Sequence, residues 1–129
     1  MAAFSPPESR HALDSDGLSA PEISFWGAWA GDEMVGCVAL KALEGESGEL
    51  KSMRSAARHR REGIGQQMLD FVIAEARSRR YRSLYLETGA MAEFEPARAL
   101  YARAGFGECG PFDGYVADRN SVFMVLALD

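Results

Sequence analysis

At 129 residues, 47% hydrophobic and 26% charged, the chain has the size and composition of one domain spanning residues 1–129. Such a domain buries a core without help from metals or disulfides. A net charge of −5 argues against nucleic acid or an anionic membrane as the main partner. No apolar run approaches the roughly 20 residues of a bilayer-spanning helix, and Met1 to Asp14 lack the apolar core of a signal peptide, so a cytoplasmic protein is expected.

In chain order, Ser5-Pro6-Pro7-Glu8-Ser9 opens the chain as a loop, because paired prolines suit neither a helix interior nor a central strand. Ile23 to Ala30 (ISFWGAWA) and Met34 to Leu43 (MVGCVALKAL) read as strands joined at Gly31-Asp32-Glu33, an antiparallel hairpin. Glu49 to Arg54 (ELKSMR) alternates as a third strand. Gly63 to Arg80 is the clearest helix, with Ile64, Met68, Val72 and Ala76 recurring every four residues beside Leu69 and Ile73. Ser83 to Glu87 (SLYLE) follows as a strand. The strand–helix–strand spacing predicts a crossover, with the strands at 49–54 and 83–87 parallel. Glu95 to Ala104 is a shorter helix, with Pro96 in its first turn and Gly105 as its left-handed stop. Phe106 to Cys109 and Ser121 to Leu128 complete the sheet around a loop containing Pro111-Phe112-Asp113-Gly114-Tyr115.

The segment carrying most chemistry is Arg58-His59-Arg60-Arg61-Glu62-Gly63-Ile64-Gly65, at the mouth of the long helix. Glycines let backbone N–H groups approach an anion, and a helix N-terminus adds partial positive charge, so the segment predicts a phosphate-bearing ligand. Arg54, Arg58, Arg60 and Arg61 form one basic island. Arg77, Arg79, Arg80 and Arg82 form another, which reads equally as a ligand contact or a solvated helix end. The Gly-Lys-Ser/Thr ending of a P-loop is absent. Met68 occupies the place of the third glycine in a dinucleotide fingerprint. No cluster of metal-ligand residues stands out, and Cys37 and Cys109, the two cysteines, read as half-buried thiols of a reducing compartment.

What remains, Arg60-x-x-Gly63-x-Gly65 between a strand and a long helix, resembles the pyrophosphate loop of the GNAT N-acetyltransferase family (Gln/Arg-x-x-Gly-x-Gly/Ala). Glu49-Leu50-Lys51-Ser52-Met53 precedes it as that family's fourth strand does, and Leu86-Glu87-Thr88-Gly89 follows as its fifth. Ala97 to Phe106 (ARALYARAGF) is similar to its "Ala…Leu-Tyr…Gly-Phe" helix and turn. The tail from Pro111 to Met124, with Ser5 to Ser9 and His11 to Asp14, resembles a poorly characterised bacterial subgroup.

The resemblance implies an α/β fold: a mixed, mostly antiparallel sheet whose central parallel pair splays around the coenzyme, with helices on both faces. It implies direct transfer of an acetyl group from acetyl-CoA to a primary amine of a small molecule or protein. Met53, Arg54 and Ser55 would offer main chain to the pantetheine arm, and Arg60, Arg61, Glu62, Gly63, Ile64, Gly65 and Gln66 would hold the phosphates, with Ala97 and Tyr101 beside the coenzyme. Tyr101 would return a proton to the departing thiolate. The base is Glu49, Glu87 or an ordered water, with Glu87 preferred because ligands gather at the carboxyl ends of parallel strands. His11 and Tyr115 would line the acceptor pocket. Two departures stand out: Arg61 replaces a frequent glycine, and the family's N-terminal strand and helix have no counterpart before Ser5. An uncovered sheet edge there predicts a homodimer. It also keeps open a non-catalytic coenzyme A-binding or dimerisation module. Weaker readings are a binder of another nucleotide and an acyl-carrying Cys37, which lacks a histidine partner.

Overall fold

A computed structural model describes residues 3–5, 22–55 and 63–128. In chain order these form β1 (Ala3–Ser5), β2 (Ile23–Ala30), β3 (Glu33–Leu43), β4 (Ser47–Ser55), α1 (Ile64–Ser78), β5 (Ser83–Gly89), α2 (Glu95–Ala104), β6 (Gly107–Cys109) and β7 (Ser121–Ala127). A single 3-10 turn, Ala92–Phe94, leads into α2. The strands form one seven-stranded sheet in the order β1-β2-β3-β4-β5-β7-β6. Every neighbouring pair is antiparallel except β4 and β5, which run parallel across the α1 crossover. The expected mixed sheet with a central parallel pair is therefore present.

The strand pattern sorts residues between two faces. Leu50 pairs with Leu86, and Leu86 with Met124, so these three project together. They join Met68, Leu69, Val72 and Ala76 of α1, and Tyr101 of α2, in one core. Burying each large apolar side chain there stabilises the fold by about 1.5–3 kcal/mol. Both described helices pack on this face. On the opposite face stand Glu49, Tyr85, Glu87 and Phe123, neighbours by register, with Phe112 and Tyr115 of the 110–120 loop laid over them.

Helix ends follow local chemistry. Gly63 is the left-handed N-cap of α1 at φ 79°, with no side chain capping the first turn. Gly105 closes α2 at φ 110°, the left-handed stop that glycine adopts without a Cβ clash. Two arginines of the second island, Arg77 and Arg79, make structural contacts. Arg77 Nε donates to the Leu128 carbonyl at 3.3 Å. Arg79 donates to Glu75 and to Ser24 Oγ, both at 3.0 Å, and lies 5.6 Å from the Trp26 ring centre. These contacts pin the end of α1 to β2 and to the C-terminal end of the sheet.

At the hairpin edge, Ala3–Ser5 pairs with Gly27–Trp29 of β2, so Ser5 closes a short strand rather than opening a loop. Phe4 explains it: its ring stacks on Phe71 of α1 at 4.4 Å, and Trp26 meets Phe71 edge-on at 5.1 Å. The edge expected to be bare thus carries a strand. His11 and most of the opening proline segment lie outside the described residues.

Candidate active site

β4 and β5 pair only as far as Leu50 and Leu86, yet β4 continues to Ser55 and β5 to Gly89. Beyond that point the strands part. The cause is local: Ala39 faces Lys51 and Cys37 faces Arg54, so Ser52 and Met53 stand opposite Val38 alone. This is a β-bulge, and Ser52 takes a left-handed φ of 53° within it. Such a bulge bends a strand and turns it away from its neighbour. The resulting cleft has a volume of about 530 Å³. Its walls are Glu49 to Met53 on one side and Leu86 to Gly89 on the other, closed by Ala97 and Tyr101 of α2 and by Tyr115, Asn120 and Ser121.

Glu49 lies at the bottom, 2% exposed. Its Oε2 accepts the Tyr115 hydroxyl at 2.7 Å, while Oε1 is buried with no hydrogen-bond partner. Burial raises the Glu49 pKa above the usual carboxylate value, opposed by the Tyr115 hydrogen bond and by the Lys51 and Lys41 charges. Burial and the Glu49 hydrogen bond push the Tyr115 phenol far above its ordinary pKa. Glu87, favoured by strand-end position, is exposed, and its Oε2 accepts the Ser121 hydroxyl at 2.6 Å. Of the two carboxylates, Glu49 is the buried one, with a raised pKa and one oxygen without a hydrogen-bond partner.

Tyr101 is 7% exposed and borders the cleft from α2. Its ring meets Phe106 edge-on at 5.9 Å, and burial raises its phenol pKa, so it is protonated at neutral pH. Arg98, unremarked in the sequence, fixes the β5–α2 connection. Its Nη1 donates to the carbonyls of Gly89 at 2.5 Å and Met91 at 3.0 Å. A Cβ on Gly89 would collide with the Phe94 ring, so glycine there lets the 3-10 turn close over the cleft.

The structure thus brings Glu49, Glu87, Met53, Ala97, Tyr101 and Tyr115 to one cavity. Arg54 and Ser55 continue β4 beyond it. Ile64 is buried in the core, and the Gln66 side chain donates to Asp70 at 2.8 Å, which leaves main chain as what the start of α1 can offer a ligand. Arg60, Arg61 and Glu62 lie outside the described residues. Cys37 donates to the Ser52 carbonyl at 3.5 Å, and burial raises its thiol pKa, the opposite of what a nucleophile needs. The bulge at Ser52 carries no sequence signal. Lys51, Asn120 and Ser121 reach the cleft through strand alternation and a loop fold that spacing alone does not define.

The residues present suit a coenzyme with a pantetheine arm and a diphosphate. β4 has no strand partner on its β5 side past Leu50, and the α1 first turn has neither a capping side chain nor an acidic residue. Both leave main-chain groups for an extended, anionic ligand.

The chain belongs to the acetyltransferase (GNAT) family, whose sequence profile matches residues 2–106. It is 55% identical over 128 residues to an uncharacterised N-acetyltransferase of Bacillus subtilis, YsnE, covering 99% of this chain and 85% of that protein. It is 39% identical over 121 residues to an IAA acetyltransferase of Azospirillum brasilense, covering 92% and 77% respectively. A Bacillus subtilis acetyltransferase crystallised in complex with CoA shares the fold, with a TM-score of 0.77 over 99% of both chains at 17% identity.

Proposed function

We propose that this chain transfers an acetyl group from acetyl-CoA directly to a primary amine seated in the cleft between β4 and β5. The observation that carries this reading is one cavity that joins a buried carboxylate with a free oxygen, a protonated phenol and an unpaired strand edge. When bound, acetyl-CoA supplies an activated acyl carbon and a thiolate leaving group. The main chain of Met53 to Ser55 holds the pantetheine arm, and a β4 amide near the bulge polarises the thioester carbonyl. Main chain from Gly63 to Gln66, with Arg60 and Arg61, holds the diphosphate.

Glu49 Oε1 takes a proton from the acceptor ammonium, directly or through one water, and so frees the nitrogen lone pair. Its raised pKa brings it nearer the operating pH, where a general base works best. Tyr101 holds the proton that the thiolate needs on departure. Glu87, hydrogen-bonded to Ser121 at the rim, attracts the cationic acceptor. The acceptor is an amine of a small molecule or of a protein chain.

Acetyl transfer to a panel of small amines and peptide N-termini, followed as free thiol release, tests this reading. Turnover with at least one amine, abolished in Glu49→Gln, is the expected result. Tight acetyl-CoA binding with no turnover on any amine would instead make the protein a coenzyme-binding module.

A further inference from the structure

The 110–120 loop is tied down more firmly than a pocket wall requires. Phe112 packs on Tyr85 at 4.8 Å and meets Phe123 edge-on at 5.8 Å. Tyr115 packs on Phe112 and Phe123 at 5.2 and 5.7 Å. Lys41 of β3 pairs with Asp113 at 3.2 Å. This docking sets the Tyr115 hydroxyl on Glu49 Oε2 at 2.7 Å, 66 positions away in sequence. A carboxylate could turn either oxygen toward the cleft, but here one is held and the other is buried and unpartnered.

We propose that Tyr115 is a positioning residue for the buried carboxylate: its hydroxyl fixes Glu49 Oε2 and leaves Oε1 as the working atom. Assigning Oε1 to proton removal rests on the acetyl-transfer reading; the hold of Tyr115 on Glu49 does not. The charged and titratable groups facing Glu49 are Tyr115 and Asp113 from the loop, Lys41 from β3, Lys51 from its own strand, and Tyr85 and Glu87 from β5. Lys41 and Lys51 favour the carboxylate and Asp113 opposes it. With those groups left in place, removing the hydroxyl alone isolates its effect.

Tyr115→Phe does so while keeping the ring against Phe112 and Phe123. The test is a titration of carboxyl-¹³C-labelled glutamate by NMR, with the Glu49 resonance assigned by its loss in Glu49→Gln. Circular dichroism and thermal unfolding establish that the variant is folded. The expected result is an upward shift of the Glu49 midpoint in Tyr115→Phe, accompanied by an equal shift in the acidic limb of the kcat/KM profile, with the KM for acetyl-CoA unchanged. A Glu49 midpoint that stays put or moves down in folded Tyr115→Phe overturns the proposal. If the midpoint rises but wild-type protein acetylates no amine, the positioning role stands and the transfer reading fails. If Tyr115→Phe does not fold, 3-fluorotyrosine incorporated at position 115, a stronger donor of nearly the same shape, must lower the Glu49 midpoint relative to wild type; an unchanged or raised midpoint overturns the proposal as well.

Discussion

Glu49 is the residue whose chemistry departs most from its solvated form. A buried ionised carboxylate with one unpartnered oxygen is costly, and burial raises its folded pKa above the unfolded value. The folded state therefore binds the proton more tightly than the unfolded chain does. Its favourable contribution is present in full below the ordinary glutamate range and is lost as pH rises through the folded midpoint. Urea unfolding as a function of pH should show this declining component in wild type, and Glu49→Gln should lack it. Tyr101 makes the complementary case. Its ring fills the space beside Phe106, so Tyr101→Phe should leave packing and acetyl-CoA affinity nearly intact. If the phenol is the acid, kcat falls roughly 100- to 10,000-fold, and a variant within a factor of two of wild type rules that role out.

At the scale of elements, the sheet and helices follow hydrophobic period and punctuation closely. Ile23–Ala30 and Glu95–Ala104 stand where an apolar, aromatic run and Pro96 with Gly105 put them, and the α1 crossover makes β4 and β5 parallel. What escaped the sequence depends on contacts between distant residues. β1 exists because Phe4 finds Phe71, and the 3-10 turn closes because Gly89 admits the Phe94 ring. Neither has a local pattern. Phe71→Ala should therefore remove hydrogen-exchange protection from Ala28 and its β1 partners while leaving that of Leu84 to Leu86 unchanged. Arg98→Ala strands the Gly89 and Met91 carbonyls and should cost about 1–3 kcal/mol in urea unfolding. A loss below a few tenths would mean solvent already satisfies those carbonyls.

For the molecule as a whole, the bulge at Ser52 and the pairing limit at Leu50 convert a continuous sheet into a cleft. Glu49 and Tyr101, both candidates in the sequence, line that cleft, because strand and helix periods place them there. Strand-end position prefers Glu87, whereas the carboxylate that the 110–120 loop buries is Glu49, through a contact 66 positions apart that no local pattern announces. The arginine-rich segments divide the same way. Arg77, Arg79 and Arg82 are engaged by Leu128, by Glu75 and Ser24, and by Glu46. The first turn of α1, by contrast, has neither a capping side chain nor an acidic residue. A crystal structure with acetyl-CoA tests the central claim most directly. The thioester should lie between β4 and β5, its carbonyl within hydrogen-bond reach of a β4 amide near Met53 and its sulfur near the Tyr101 hydroxyl. A coenzyme bound elsewhere, or this cleft filled by protein while acetyl-CoA saturates the crystal, would contradict the account.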